Sequence, residues 1–239
     1  MGYYYYGFDA SYIFLVLPCV IFALWASAQV NSTFNKYSKI YSSRRITGAQ
    51  AAQMVLSRHG VTNVRIERVG GNLTDHFDPK TNVIRLSDNV YDSTSTAAIG
   101  VACHEAGHAV QYAREYFPIR LRAAIIPITN IGSKLAMPLI LLGLVLSYMG
   151  YYSYIFIYIG IACFGLSAVF QLVTLPVEFN ASRRALTAIE EYNILNDAEY
   201  KGAKKTLRAA ALTYVAALAV SLAQLLRLLL IFGGKNKDD

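Results

Sequence analysis

The stretch Leu135–Leu175, "LAMPLILLGLVLSYMGYYSYIFIYIGIACFGLSAVFQLVTL", holds 41 consecutive residues without a formal charge. As one helix it would extend about 62 Å at 1.5 Å per residue, roughly twice the hydrocarbon thickness of a bilayer. It therefore predicts two membrane spans joined as a hairpin. The tip is read at "SYMGYYSY", 147–154, where Gly150 relieves the helix and the tyrosines suit an interface. A hairpin returns the chain to the side it left, so the segments before and after it face the same compartment.

The composition agrees with a membrane protein. Of 239 residues, 55 % are hydrophobic and only 15 % charged, with a mean hydropathy of +0.35. A net charge of +7 invites a nucleic-acid reading, but the basic residues lie on no basic helix or aromatic platform, and nucleic acid is excluded as a partner. Thirteen Lys/Arg fall between Lys36 and Lys134 and six between Arg183 and Arg208, which places both segments in the cytoplasm by the positive-inside rule.

The first apolar run, Ile13–Val30, is read as an uncleaved anchor with its N-terminus outside. A signal peptide would fit Ala26-Ser27-Ala28, but "MGYYYYGFDA" contains no Lys or Arg to precede it. The last run, Ala209–Phe232, is long enough to span yet carries Gln224 and Arg227, so the expectation is three to four transmembrane helices. Cys19, Cys103 and Cys163 form no paired framework, so neither disulfides nor a cysteine metal knuckle is indicated.

Between the anchor and the hairpin lies the part that reads as a water-soluble fold. Thr47 and Gln50 form a capping box ahead of "AAQMVLSRHG", with Gly60 placed to end that helix and His59 as a positive group at its C-terminus. Val64 and Ile66 alternate with Arg65 and Glu67 as in a half-buried strand, and "NVIRLS", 82–87, follows the turn signal "DPKTN" as a second one. A helix then begins near "DSTST", 92–96, and ends before Pro118. After it, "PIRLRAAIIPITNIGSK" reads as an interfacial segment. The fold class is thus mainly α and integral to the membrane, with a small α+β cytoplasmic domain. The divisions are an anchor over 1–30, a cytoplasmic segment over 31–133, the hairpin over 134–176, a cytoplasmic helix over 177–208, and a C-terminal membrane helix and tail over 209–239.

The helix after "DSTST" contains "AAIGVACHEAGHAVQYA", 97–113. In this HExxH pattern His104 and His108 stand at i and i+4 on one face, where both imidazoles can bind one Zn²⁺. Glu105 lies about 100° around the helix and is placed to act as general base and acid on a water activated by the metal. The competing interpretation is a helix that carries two surface histidines by chance. With only four histidines in the chain, that coincidence is the poorer explanation.

A catalytic zinc needs a third protein ligand. Glu178, in "LPVEFNASRRA", is the strongest candidate because the hairpin brings it back to the face of His104 and His108; its alternative is an interfacial glutamate paired with Arg183 or Arg184. Glu190 and Glu191 are weaker choices. His76, in "LTDHFDP", is a competing ligand or a catalytic donor to the substrate carbonyl, with a structural turn histidine as the default.

Taken together, "STFNKYSKI", "GNLTDHFDP", "AAIGVACHEAGHAVQYA", "QLVTLPVEFNASRRAL" and "GAKKTLRAAALTYVAALA" resemble the bacterial membrane zinc metallopeptidases of the YugP type over nearly the full chain. More distantly, the arrangement is similar to HtpX and the CAAX-prenyl proteases, membrane gluzincins in which HExxH precedes a hairpin and then an E-F-x-A-D-like motif. The resemblance implies zincin-like architecture, a single zinc on His104, His108 and Glu178, Glu105 as the base, and a plasma-membrane protein with a cytoplasmic active site. Ser182 stands where that motif has its Asp. The role of orienting a zinc histidine then passes to Ser182, Asn180 or a water.

The function expected is a zinc endopeptidase cutting peptide bonds at the cytoplasmic membrane surface, its partners a polypeptide substrate and the lipid bilayer. The alternative is a scaffold or adaptor with a structural or vestigial zinc, in which Gln224 and Arg227 serve contacts with a second copy or another membrane protein. A transporter would need ionisable groups on several spans, and an intramembrane protease would need a less polar motif helix.

Overall fold

The computed structural model describes residues 10–151 and 154–233. Residues 1–9, which hold most of "MGYYYYGFDA", lie outside the described residues, as do 152 and 153 at the read hairpin tip and 234–239. The elements are α1 Leu17–Tyr37, preceded by a π turn over Tyr12–Val16, then α2 Gly48–Arg58, β1 Arg65–Val69, β2 His76–Asp78 and β3 Val83–Ser87. There follow α3 Asp88–Tyr91, α4 Thr96–Ala113, α5 Phe117–Tyr148, α6 Tyr154–Glu191 and α7 Asp197–Phe232. The fold is mainly helical, with four helices among the described residues long and apolar enough to cross a membrane: Tyr12–Tyr37, α5, α6 and α7. The positions 30, 133, 176 and 208, where the sequence divides by polarity, all fall inside helices. A helix satisfies its own backbone hydrogen bonds in lipid and in water alike, so a change of solvent need not end it.

The chain divides into two compact units. Of the described residues, one unit comprises 10–25, 121–151, 154–175 and 214–233; the other comprises 26–120 and 176–213. In the second unit, α2 starts on the expected capping box. Gln50 N–H donates to Thr47 Oγ1 at 3.2 Å and Thr47 N–H donates to Gln50 Oε1 at 3.0 Å. The sheet has the order β1-β3-β2, with β1 parallel and β2 antiparallel to the central β3. Val83, Ile84 and Leu86 of β3 are fully buried, and Ile84 and Leu86 join Ala52, Val55 and Leu56 of α2 and the alanine-rich faces of α4 in the core of this unit. The strand β2 is absent from the sequence reading. Its three residues sit beside the turn signal Asp78-Pro79, too short a run for alternation to register.

Helix α4 is almost wholly enclosed, from Thr96 to Gln111. Ser95 caps it, its Oγ accepting from Ala98 N–H at 3.3 Å. Two glycines allow neighbouring backbones to come close. A Cβ on Gly107 would lie 2.8 Å from Ala181 O, and one on Gly100 would lie 3.2 Å from Ala203 Cα. These contacts press the 176–191 part of α6 and the start of α7 against the motif helix.

In the first unit, the apolar parts of α5, α6 and α7 meet through a small cluster of Ile140, Ile157, Ile161 and Leu228. A Cβ on Gly160 would lie 2.8 Å from Ala136 O, so α5 and α6 approach at backbone distance. Large side chains such as Leu141, Leu172 and Leu230 point outward. The Arg227 guanidinium lies 5.5 Å from the centroid of the Tyr12 ring, a cation–π arrangement on an otherwise apolar helix.

Candidate metal centre

The centre lies entirely within the second unit and begins with helical periodicity. His104 and His108, one turn apart on α4, face each other with ring centroids 4.6 Å apart and planes at 84°. Glu178 arrives from α6, 74 residues later in sequence than His104, and is 2 % exposed. His104 Nε2 and Glu178 Oε2 are 3.2 Å apart, His108 Nε2 and Glu178 Oε2 3.5 Å, and the two Nε2 atoms 3.1 Å. Ligands about 2.05 Å from a tetrahedral zinc are separated from each other by about 3.3 Å. The observed triangle has that size, and among the described residues it is the one group of three or more His, Cys, Asp or Glu able to hold a metal.

The proton positions follow from a chain of obligate donors. The Arg184 guanidinium can only donate, and its Nε lies 2.8 Å from Asn180 Oδ1. The Gln111 amide nitrogen donates to the same Asn180 oxygen at 2.9 Å and to the Val177 carbonyl at 2.8 Å. The Gln111 oxygen, 3.0 Å from His108 Nδ1, must then accept, which puts the imidazole proton on Nδ1. His108 Nε2 is left with its lone pair facing His104 and Glu178, the form a metal needs. His104 Nδ1 has Ser182 Oγ at 3.1 Å. A hydroxyl can donate or accept, so Ser182 orients His104 without dictating its tautomer. These features fit a divalent metal of borderline softness, two imidazoles and one carboxylate being a donor set typical of zinc.

Glu105 is 8 % exposed and stands off the three-donor cluster. Burial pushes its carboxyl up to about 7, helped by the negative charges of Glu178 and Asp75; His104 and a hydrogen bond from the Phe77 backbone N–H oppose that rise. The edge strand β2 thus lies alongside Glu105, and the Phe77 ring meets Tyr112 of α4 edge-on at 6.1 Å. Asp75 accepts from Ser87 N–H at 2.7 Å and Ser87 Oγ at 3.0 Å, and its burial raises its own carboxyl as well.

A family model described as "Putative neutral zinc metallopeptidase" matches residues 12–233. The chain belongs to that family. The "Putative membrane protease YugP" of Bacillus subtilis (strain 168) is 44 % identical over 228 residues, covering 95 % of this chain and 99 % of that relative. No solved structure matches.

Within this zinc metallopeptidase framework, the structure brings together His104, His108 and Glu178 and sets Glu105 beside them. His76 stands outside the three-donor cluster. It is exposed on β2, its Nδ1 2.8 Å from the Thr74 carbonyl oxygen, an arrangement that supports the turn-histidine reading. His59 caps α2, its Nδ1 2.9 Å from Val55 O. Glu190 and Glu191 are exposed at the end of α6. Sequence reasoning missed Gln111, Arg184 and the Phe77 amide. For Gln111 a signal existed, since it lies three and seven residues beyond the two histidines and so continues their face of the helix.

Proposed function

We propose that this chain is a membrane zinc endopeptidase in which His104, His108 and Glu178 hold one Zn²⁺ and Glu105 is the general base and acid. The observation that carries the reading is the convergence of the three donor atoms beside a buried glutamate whose carboxyl lies near 7. The chemistry a bound Zn²⁺ supplies is Lewis acidity toward a carbonyl oxygen and a lowered pKa for water. The rest belongs to the chain. Glu105 takes a proton from a water in the cleft and returns it to the departing amine, and a carboxyl near 7 suits both directions at neutral pH. Gln111 holds His108 in the ligating tautomer and Ser182 holds the His104 ring. The polypeptide substrate is met at the cytoplasmic face of a bacterial plasma membrane, a side supported by the Lys/Arg-rich segments that contain the centre.

The test is Glu105→Gln in purified full-length protein. The variant should keep about one zinc per chain and lose activity on a cleaved polypeptide by roughly 10²- to 10⁴-fold, the range for a general acid–base group. Full activity would remove Glu105 from its role. Loss of the metal in Glu178→Ala, with zinc retained in Glu190→Ala, would support the ligand assignment.

A further inference from the structure

On the flank of the second unit, the 176–191 part of α6 and the first half of α7 enclose a groove of about 330 Å³. That volume falls near the lower bound of small-molecule sites, roughly 300–1,000 Å³. Its walls change character along the length. Phe179 on α6 and Ala211 on α7 line one end; Arg183, Lys204 and Arg208 line the middle; Leu186, Thr187 and Tyr200 line the other end. No carboxylate among the described residues lines it. Among the described residues neither Arg183 nor Arg208 forms an ion pair, although the surface-exposed cations of the sheet region, Arg65 and Arg68, both do. Lys204 Nζ lies 5.4 Å from the centroid of the Tyr200 ring.

Chain direction gives the gradient its meaning. Arg183 is the first cation after the uncharged stretch of α6, and Arg208 is the last before the 18 uncharged residues 209–226 of α7. The apolar end of the groove is therefore the end from which both helices continue into their membrane-crossing portions. Cations follow within about one turn. An amphiphile with an anionic head and an apolar tail matches that order, whereas a soluble anion would leave the apolar end unused. Basic pockets between membrane helices bind anionic lipid heads, and guanidinium groups bind phosphate oxygens in pairs.

We propose that this groove binds an anionic phospholipid of the surrounding bilayer, its phosphate against Arg183, Lys204 and Arg208 and the upper part of an acyl chain along Phe179, Leu207 and Ala211. The site is separate from the three-donor cluster, although Ser182, which contacts His104, forms part of its wall.

The experiment uses the full chain purified in a neutral detergent and mixed with phosphatidylglycerol or phosphatidylcholine at equal concentration. Native mass spectrometry counts the lipid retained, and thermal unfolding reports whether each variant is folded. Phosphatidylglycerol should be retained at least about fivefold over phosphatidylcholine. Arg183→Gln/Arg208→Gln should abolish that preference, while Lys201→Gln/Lys205→Gln, which removes two exposed cations of α7 outside the groove, should keep it. Equal retention of the two lipids by the wild type would overturn the proposal. So would an unchanged preference in Arg183→Gln/Arg208→Gln, or displacement of the lipid by soluble glycerol phosphate at the same concentration. If the groove double variant does not fold, Arg208→Gln alone should reduce the preference, and an undiminished one sinks the idea. None of these readouts requires peptidase activity.

Discussion

The two units of this protein put the same apolar chemistry to opposite uses. In the unit that holds the candidate metal centre, the helix at the core is rich in alanine and glycine, nearly every residue is buried, and polar side chains inside it have named partners. In the other, leucines and isoleucines dominate, yet much of their surface points outward; Leu141 is 54 % exposed on α5. Small residues draw backbones together and fix geometry, while large outward side chains match a solvent that is itself apolar. A unit of the first kind should be intolerant of small changes and one of the second kind tolerant of larger ones.

Gly107→Val is the strongest way to break that contrast. Its Cβ would meet the Ala181 carbonyl oxygen, a backbone atom that cannot swing aside, and overpacking should cost about 3 kcal/mol. Denaturant unfolding in detergent, together with loss of bound metal, should report it; wild-type stability would mean that α4 and α6 are not tightly packed in solution.

A nearly equal effect should come from pH. Glu105 in the folded state releases its proton near 7 instead of near 4.5. Below about 4.5 both folded and unfolded forms hold the proton, and the group costs nothing. As pH rises through that window the unfolded chain ionises first, so stability falls, by about 3 kcal/mol in all once both forms are charged. Metal-free wild type should thus fall behind metal-free Glu105→Gln between pH 4.5 and 7. Parallel stability curves for the two would show that Glu105 is not desolvated.

Gln111→Leu should cost about 2 kcal/mol, since it leaves the buried Nδ1–H of His108 without its acceptor and removes one donor each from the Val177 carbonyl and Asn180 Oδ1. Zinc affinity should drop by roughly 10- to 100-fold because His108 loses the partner that sets its tautomer. A competition titration with a chelator measures this, and unchanged affinity would show that the relay from Arg184 does not reach the metal.

At the small end, Leu141→Ala in the other unit should shift stability by less than about 0.5 kcal/mol, as expected where no buried feature is lost. A loss of the size seen for buried leucines, about 2–5 kcal/mol, would mean that another protein surface covers α5.

Much of this molecule was legible from one dimension because the signals are local. A 41-residue uncharged run, a Thr-x-x-Gln cap and an i, i+4 pair of histidines are each read within a few turns of chain. Even Glu178 could be anticipated, since a hairpin constrains which side of a membrane its flanks occupy. The strand β2 was illegible for the converse reason: three residues beside a proline carry no period, and their conformation is set by pairing with β3. Ser182 could be named as one of three replacements for a missing Asp, but choosing it needed the 3.1 Å contact with His104 Nδ1.

The sequence by itself determined the class of protein, the order of its apolar spans and the residue types offered to a metal, because hydropathy and helical spacing are properties of the chain. Only the tertiary structure decided which carboxylate meets the histidines, how far apart the donors stand and which nitrogen of His108 keeps the proton. Those depend on two backbones meeting at Gly107 and Ala181 and on hydrogen bonds reaching from Arg184 through Asn180 and Gln111 to His108. Close approach between distant segments and the sharing of protons among side chains are set by packing in three dimensions.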